Sequence, residues 1–131
     1  MCIFCQIVAG KIPSYQVYED ERVLVFLDIK PVHKGHLLVI PKKHAANLEE
    51  VSAEDLQALI LVVQKMGRLL KERLGYPAYN VSENNDPLAG QEVPHLHFHL
   101  IPRLAGDGLA PWRKEEYAPG EMEEVLKKLK D

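Results

Sequence analysis

Long apolar runs are missing from this 131-residue chain. The most apolar stretch, Leu59 to Val63, is far shorter than the roughly 20 consecutive apolar residues that cross a bilayer. Met1 to Lys11 lacks the basic start and the unbroken apolar stretch of a secretory signal, so a cytoplasmic protein with no membrane contact is expected. Cysteine is scarce. Cys2 and Cys5 are the whole complement, too few for the disulfide framework of a small secreted domain. Their Cys-x-x-Cys spacing suits a metal or a redox pair, and without a βαβ pattern around them a thioredoxin-like role has little support. A basic excess is missing too. Sixteen Lys and Arg against nineteen Asp and Glu give a formal charge of −3, and no long basic run offers the patch that displaces counterions from nucleic acid. An anionic ligand must then be held by local dipoles. Repeats and low-complexity segments are also absent.

What is present, 47% hydrophobic and 27% charged residues, is the make-up of one globular domain, long enough for a substantial core and short for two. We read residues 1–105 as that domain and 106–131 as a tail with a short helix packed on it. Gln6 to Ala9 suits a helical turn ended by Gly10. Gln16 to Glu19 and Val23 to Leu27, separated by Asp20-Glu21-Arg22, read as a hairpin closed by Asp28. Lys30 to Gly35 is a loop, and His36 to Ile40 an apolar strand stopped by Pro41. Ser52 is an N-cap with Glu54 and Asp55 at the positive end of the helix dipole. Leu56, Leu59, Ile60, Val63, Met66, Leu69, Leu70 and Leu74 then recur at helical spacing until Gly75, a stripe that reads as core. Tyr79 to Glu83 and His95 to Ile101 supply the last strands. Glu121 to Lys130 is an amphipathic tail helix with Met122, Val125, Leu126 and Leu129 on one side. Sequential strands with one long inserted helix predict an α+β fold with an antiparallel sheet.

The densest pattern is Val93-Pro94-His95-Leu96-His97-Phe98-His99-Leu100-Ile101-Pro102-Arg103. Side chains alternate faces along a strand. His95, His97 and His99 are therefore expected on one face, with rings roughly 6.5 to 7 Å apart, and Leu96, Phe98 and Leu100 in the core. The alternation suits two chemistries: imidazoles that share out a reaction, or a His-x-His metal chelate.

His-Leu-His-Phe-His-Leu-Ile resembles the signature of the histidine triad (HIT) family of nucleotide hydrolases and transferases, in which three histidines alternate with apolar residues. Asn84 to Val93 resembles that family's phosphate loop, and the similarity extends back to Cys2, leaving out the tail beyond Arg103. The resemblance implies a five-stranded antiparallel sheet with one long helix and short terminal helices, joined to a second copy in a homodimer. It implies that His97 attacks the α-phosphate and is nucleotidylated, that His99 contacts phosphate and leaving group, and that His95 and His36 support them. Asn84, Gly90, Gln91 and Val93 then serve the phosphate through backbone N–H groups and one amide side chain. Asp28 accepts from the ribose hydroxyls, and Ile3, Phe4, Ile7, Phe26 and Ile29 surround the base. Lys42 and Lys43 are read as solvated. Two positions depart from the pattern: Glu92 stands where Ser or Thr is common and is expected to point away from phosphate, and Asp86 stands where glycine is common, so the loop path is expected to differ.

Some family members carry the Cys-x-x-Cys. Here a structural zinc is expected on Cys2, Cys5, His44 and His95, a set that suits tetrahedral coordination, with no organic cofactor. The resemblance points to a purine nucleotide substrate cleaved at a P–N or P–O bond next to an AMP-like group, in the manner of the adenosine phosphoramidase branch. A dinucleoside polyphosphate hydrolase, which shares the Ala-Gly-Gln and Pro-Arg flanks, is the second reading. A nucleotide-binding regulatory module with little turnover is the third. Nucleic acid and membrane are not expected partners.

Overall fold

The structure, a computed structural model, describes residues 2–109 and 112–130. Met1, Ala110, Pro111 and Asp131, which the divisions 1–105 and 106–131 include, lie outside the described residues. The elements in chain order are α1 (Ile3–Val8), β1 (Gln16–Glu19), β2 (Val23–Leu27), β3 (Leu37–Pro41), α2 (Ala53–Leu74), β4 (Ala78–Glu83), β5 (Phe98–Arg103) and α3 (Glu121–Leu129). The five strands form one sheet in the order β1-β2-β3-β5-β4, and every neighbouring pair is antiparallel. The α+β expectation holds in this form.

Both faces of the sheet centre are covered, which explains why β2 and β3 are unbroken apolar runs rather than alternating ones. Val23, Val25, Leu37 and Val39 face α2, meeting Leu59, Val62, Val63, Met66 and Leu70. Leu24, Phe26, Leu38 and Ile40 face the other way and pack with Phe4 and Ile7 of α1. Helix α2 begins where Ser52 accepts the Asp55 N–H and ends at Gly75, whose φ of 73° only glycine adopts without strain. Gly67 lies under the Tyr79 ring, so no larger residue fits there.

Several boundaries differ from the sequence reading. Helix α1 starts at Ile3 rather than Gln6, because Cys2 Sγ accepts the Cys5 N–H and caps it. Strand β3 runs one residue later, through Pro41. Strand β5 begins at Phe98, not His95, and runs through Pro102 rather than stopping there. Ahead of it the backbone is bonded elsewhere: the His95 N–H turns back to Val93 O at 2.8 Å and the Leu96 N–H reaches Ala45 O at 2.7 Å. Pro102 is tolerated because β3 pairs with β5 only as far as Leu100, so no ladder bond is lost on that side.

Beyond β5, Arg103 grips Asp107 through Nε and Nη2 at 2.6 and 2.9 Å. Helix α3 forms at the expected place. None of its residues is buried, and Met122, Leu126 and Leu129 are more than half exposed. Among the described residues no helix is long and apolar enough to cross a membrane.

Candidate functional site

The three imidazoles gather on the α1 side of the sheet. The His97 and His99 ring centres lie 4.8 Å apart, nearer than the backbone repeat of a strand alone sets. Phe4 presents its edge to His97 and to His95, with centres 5.2 and 5.8 Å away, and to Phe26 at 5.5 Å. Leu96, Phe98 and Leu100 are buried in the α2-side core as expected.

What lies behind each ring decides its tautomer. His97 Nδ1 is 2.8 Å from His95 O; a carbonyl only accepts, so Nδ1 carries the proton and Nε2 keeps its lone pair. His36 Nδ1 accepts the Val32 N–H at 3.1 Å. Its proton therefore sits on Nε2, which donates to His99 Nδ1 at 2.9 Å. His99 must then hold its own proton on Nε2. Burial, with His97 and His36 adding to it, pushes His99 down to about 4, so this chain of neutral rings persists at physiological pH. Burial also lowers His36, against the pull of Asp28, whose Oδ2 lies 3.7 Å from His36 Nε2 while Oδ1 accepts the Lys30 N–H.

A second group converges at the end of α1. The ligand atoms of Cys2, Cys5, His44 and His95 all lie within 4.8 Å of one another. His95 Nε2 donates to Pro41 O at 2.8 Å, which leaves Nδ1 as a lone pair aimed into the group. Zn–N and Zn–S bonds of about 2.0 and 2.3 Å in a tetrahedron imply N···N edges of roughly 3.3 Å and N···S edges of roughly 3.5 Å. The structure has His44 Nδ1 to His95 Nδ1 at 3.2 Å and three Sγ to Nδ1 distances of 3.3, 3.4 and 3.6 Å. The donors fit zinc. Asp28, His36 and His99 also converge within 4.8 Å, but the proton on His36 Nε2 makes them a hydrogen-bonded relay instead of a chelate.

The loop ahead of the histidines is organised differently from the expectation. Gly90 takes a φ of 97° and its N–H closes onto Pro87 O, while the Gln91 N–H bonds Asp86 O. The Gln91 amide, expected at the phosphate, is spent inside: Oε1 accepts the Asp86 N–H at 2.7 Å and Nε2 donates to Ala46 O at 2.6 Å. Among the described residues, the Glu92 and Val93 N–H groups have no protein acceptor. Asn84 Nδ2 donates to Gly90 O at 3.5 Å. The Glu92 side chain is exposed. Asp86 adopts φ 76° and ψ 155°, a region normally left to glycine, so the substitution keeps a glycine-like backbone at a cost in strain. Asp86→Gly is expected to raise stability by about 1 kcal/mol, the relief of strain exceeding the added chain entropy. Urea denaturation measures this, and an unchanged or lower midpoint would show that the Asp86 contacts outweigh the strain.

Of the expected base-side residues, Phe4, Ile7 and Phe26 are buried core, whereas Ile3 is 47% and Ile29 86% exposed. Sequence reasoning missed the groups that hold the site from behind: Val32 N–H, Pro41 O and Ala46 O, which as backbone atoms have no signature. It also missed Glu83, whose Oε1 takes the Asn85 amide at 2.6 Å and whose carboxyl is pushed up by burial, against the pull of Asn85 and His97.

A family model for the HIT domain matches residues 9–106. The adenosine 5'-monophosphoramidase hnt1 of Schizosaccharomyces pombe is 42% identical over 135 residues, spanning 98% of this chain and 98% of that protein. Among solved structures, a HIT family protein from Bacillus subtilis superposes with a TM-score of 0.90 at 42% identity, over 98% of this chain and 94% of its own. A zinc-bound histidine triad family protein from Mycobacterium smegmatis gives a TM-score of 0.79 at 39% identity, covering 88% of this chain and 84% of its own.

Proposed function

The chain belongs to the HIT family, and on that premise we propose that it is a nucleotide hydrolase. It cleaves a P–N or P–O bond at an AMP-like group through a covalent intermediate on His97. The observation that carries this reading is the tautomer of His97: with Nδ1–H donated to His95 O, Nε2 is an unprotonated nucleophile. Splitting the displacement into two steps lowers the barrier of each. In the first, His97 Nε2 bonds to the α-phosphorus and the bond to the leaving group breaks, with His99 Nε2–H handing its proton to the departing atom. Neutral imidazole is competent as such a donor, and the His36 Nε2–H behind His99 offsets the charge left on it. In the second, water gives a proton back to His99 and attacks phosphorus, releasing the nucleoside monophosphate and returning the lone pair to His97.

The Glu92 and Val93 N–H groups and Asn84, on the turn that Gly90 and Gln91 shape, serve the phosphate oxygens. Asp28 accepts from the ribose hydroxyls, as acidic residues do in dinucleotide sites. Phe4, Ile7 and Phe26 form the wall of the base site, with Ile3 and Ile29 at its rim. Cys2, Cys5, His44 and His95 hold a structural zinc, which when bound ties the start of α1 to the segments around residues 44 and 95. The edge lengths of that group support it, as does a zinc-bound member of the family.

The S. pombe relative is named as a monophosphoramidase, which favours adenosine phosphoramidate over diadenosine polyphosphates. Its kcat/KM is expected to be the higher, and the reverse ranking would move the chain to the dinucleoside polyphosphate reading. Turnover too slow to measure with tight AMP binding would favour the regulatory module. A homodimer is part of the proposal, supported by Ile60 and Leu61, half or more exposed on α2, and by Val81, 43% exposed on the edge strand β4. Light scattering at micromolar concentration is expected to give twice the mass of one chain, and the mass of a single chain would remove the dimer.

A further inference from the structure

The phosphate loop is attached to the rest of the protein mostly through one irregular segment, residues 45–48, between β3 and α2. Ala45 O accepts the Leu96 N–H at 2.7 Å, and Ala46 O accepts from Gln91 Nε2 at 2.6 Å. The Leu48 N–H donates to Asn85 Oδ1 at 2.8 Å, and Asn47 Nδ2 reaches Asp86 Oδ1 at 3.4 Å. These bonds tie two pieces of irregular chain to each other, and none of them ties either piece to a helix or to the ladder of the sheet. Each piece ends in a histidine of the Cys2, Cys5, His44 and His95 group. His44 immediately precedes the 45–48 segment, and His95 closes the loop. The carbonyl of His95 is also the acceptor that sets the tautomer of His97.

We propose that the Cys2–Cys5–His44–His95 centre is the positioning device of the active site: a zinc ion held there clamps the 45–48 segment, and through it the phosphate loop, against the backbone that orients His97. This rests on the zinc reading above. The reason is mechanical. The lone pair of His95 Nδ1 faces His44 Nδ1 and two sulfurs within 3.6 Å, and four donors turned inward hold together far better around a cation than around one another. With the cation gone, His44 loses its tie to α1 and to His95, and the four bonds from 45–48 then move with the loop instead of restraining it. His95 keeps its bond to Pro41 O, so the sheet and α2 do not depend on the ion.

The test compares zinc-loaded and chelator-stripped protein by metal analysis, by hydrogen exchange resolved to peptides, and by steady-state kinetics with adenosine phosphoramidate. Stripping is expected to speed exchange in 41–50 and 84–97 by about tenfold or more, with α2 unchanged, because local opening is governed by local restraints. The kcat is expected to fall roughly tenfold or more, in line with the loss of an orienting outer shell, with KM changed less. Cys5→Ser, which keeps the backbone N–H that caps α1, is expected to reproduce the stripped state without chelator, and Cys5→His, which keeps a ligand, to restore slow exchange. If zinc binds and leaves without changing exchange at 84–97, the coupling is wrong while the zinc reading stands. If exchange rises equally in α2, the site serves general stability and the proposal also fails. If the protein purified or reconstituted with zinc retains none, both readings fall together.

Discussion

His97→Ala is expected to abolish turnover while leaving AMP bound nearly as tightly as before. The nucleotide is held by groups the substitution does not touch, the loop N–H donors, Asp28 and the apolar wall, so ground-state affinity is expected to stay within about threefold. The chemical step has no substitute nucleophile in place: His99 Nδ1 is occupied by His36, and His95 is turned to Pro41 and to the sulfurs. Losses of about 10⁴-fold or more in kcat follow when a covalent nucleophile is removed from a group that acts as a unit. Wild-type protein quenched during turnover of adenosine phosphoramidate is expected to carry adenylate on the peptide containing Val93 to Arg103, and the variant none. Near-normal hydrolysis by a variant that still binds AMP would show that water attacks directly.

Removing His36 is expected to be the next most damaging change, although its ring lies one layer behind the reacting atoms. Its Nε2–H is what presents the Nε2–H of His99 to the leaving group, and without it His99 is free to hold its proton on Nδ1, where it reaches nothing useful. His36→Ala is expected to lower kcat by about 10²-fold, the scale of a lost proton transfer, with KM little altered. His36→Gln, whose amide N–H extends to a similar depth, is expected to recover part of the loss. The effect is to be read with two substrates. One with a poor amine leaving group, which needs the proton, suffers most, and one with a good leaving group suffers least. Equal losses on both would reduce His36 to a packing residue, since a packing defect does not depend on the basicity of the departing atom.

Some of this is legible in the residues alone. The helical spacing of Leu59, Val63, Met66 and Leu70 determined α2 and its buried face, and Ser52 and Gly75 marked its ends to within a residue, because periodicity and caps are local properties. The alternation from His95 to Leu100 placed Leu96, Phe98 and Leu100 in the α2-side core even though β5 begins only at Phe98, since their burial is enforced by hydrophobicity whether or not the ladder continues. The Cys-x-x-Cys, read with the family resemblance, led to the four residues that the fold brings within 4.8 Å of one another.

Only the tertiary structure decided what those residues can do. An imidazole has two chemically different nitrogens, and the tautomers of His97, His36 and His95 follow from His95 O, the Val32 N–H and Pro41 O. Every residue of the chain except proline carries the same N–H and every residue the same C=O, so no sequence pattern distinguishes the ones that face a histidine. The same reason hid the fate of Gln91. Its amide, in a motif that suggests phosphate contact, turns inward to Ala46 O and the Asp86 N–H, because a segment some 45 residues away in the chain supplies a partly buried acceptor beside it. The tail shows the limit from the other side: the apolar stripe of α3 determined that it is a helix, but amphipathicity carries no address, and within one chain none of its residues is buried.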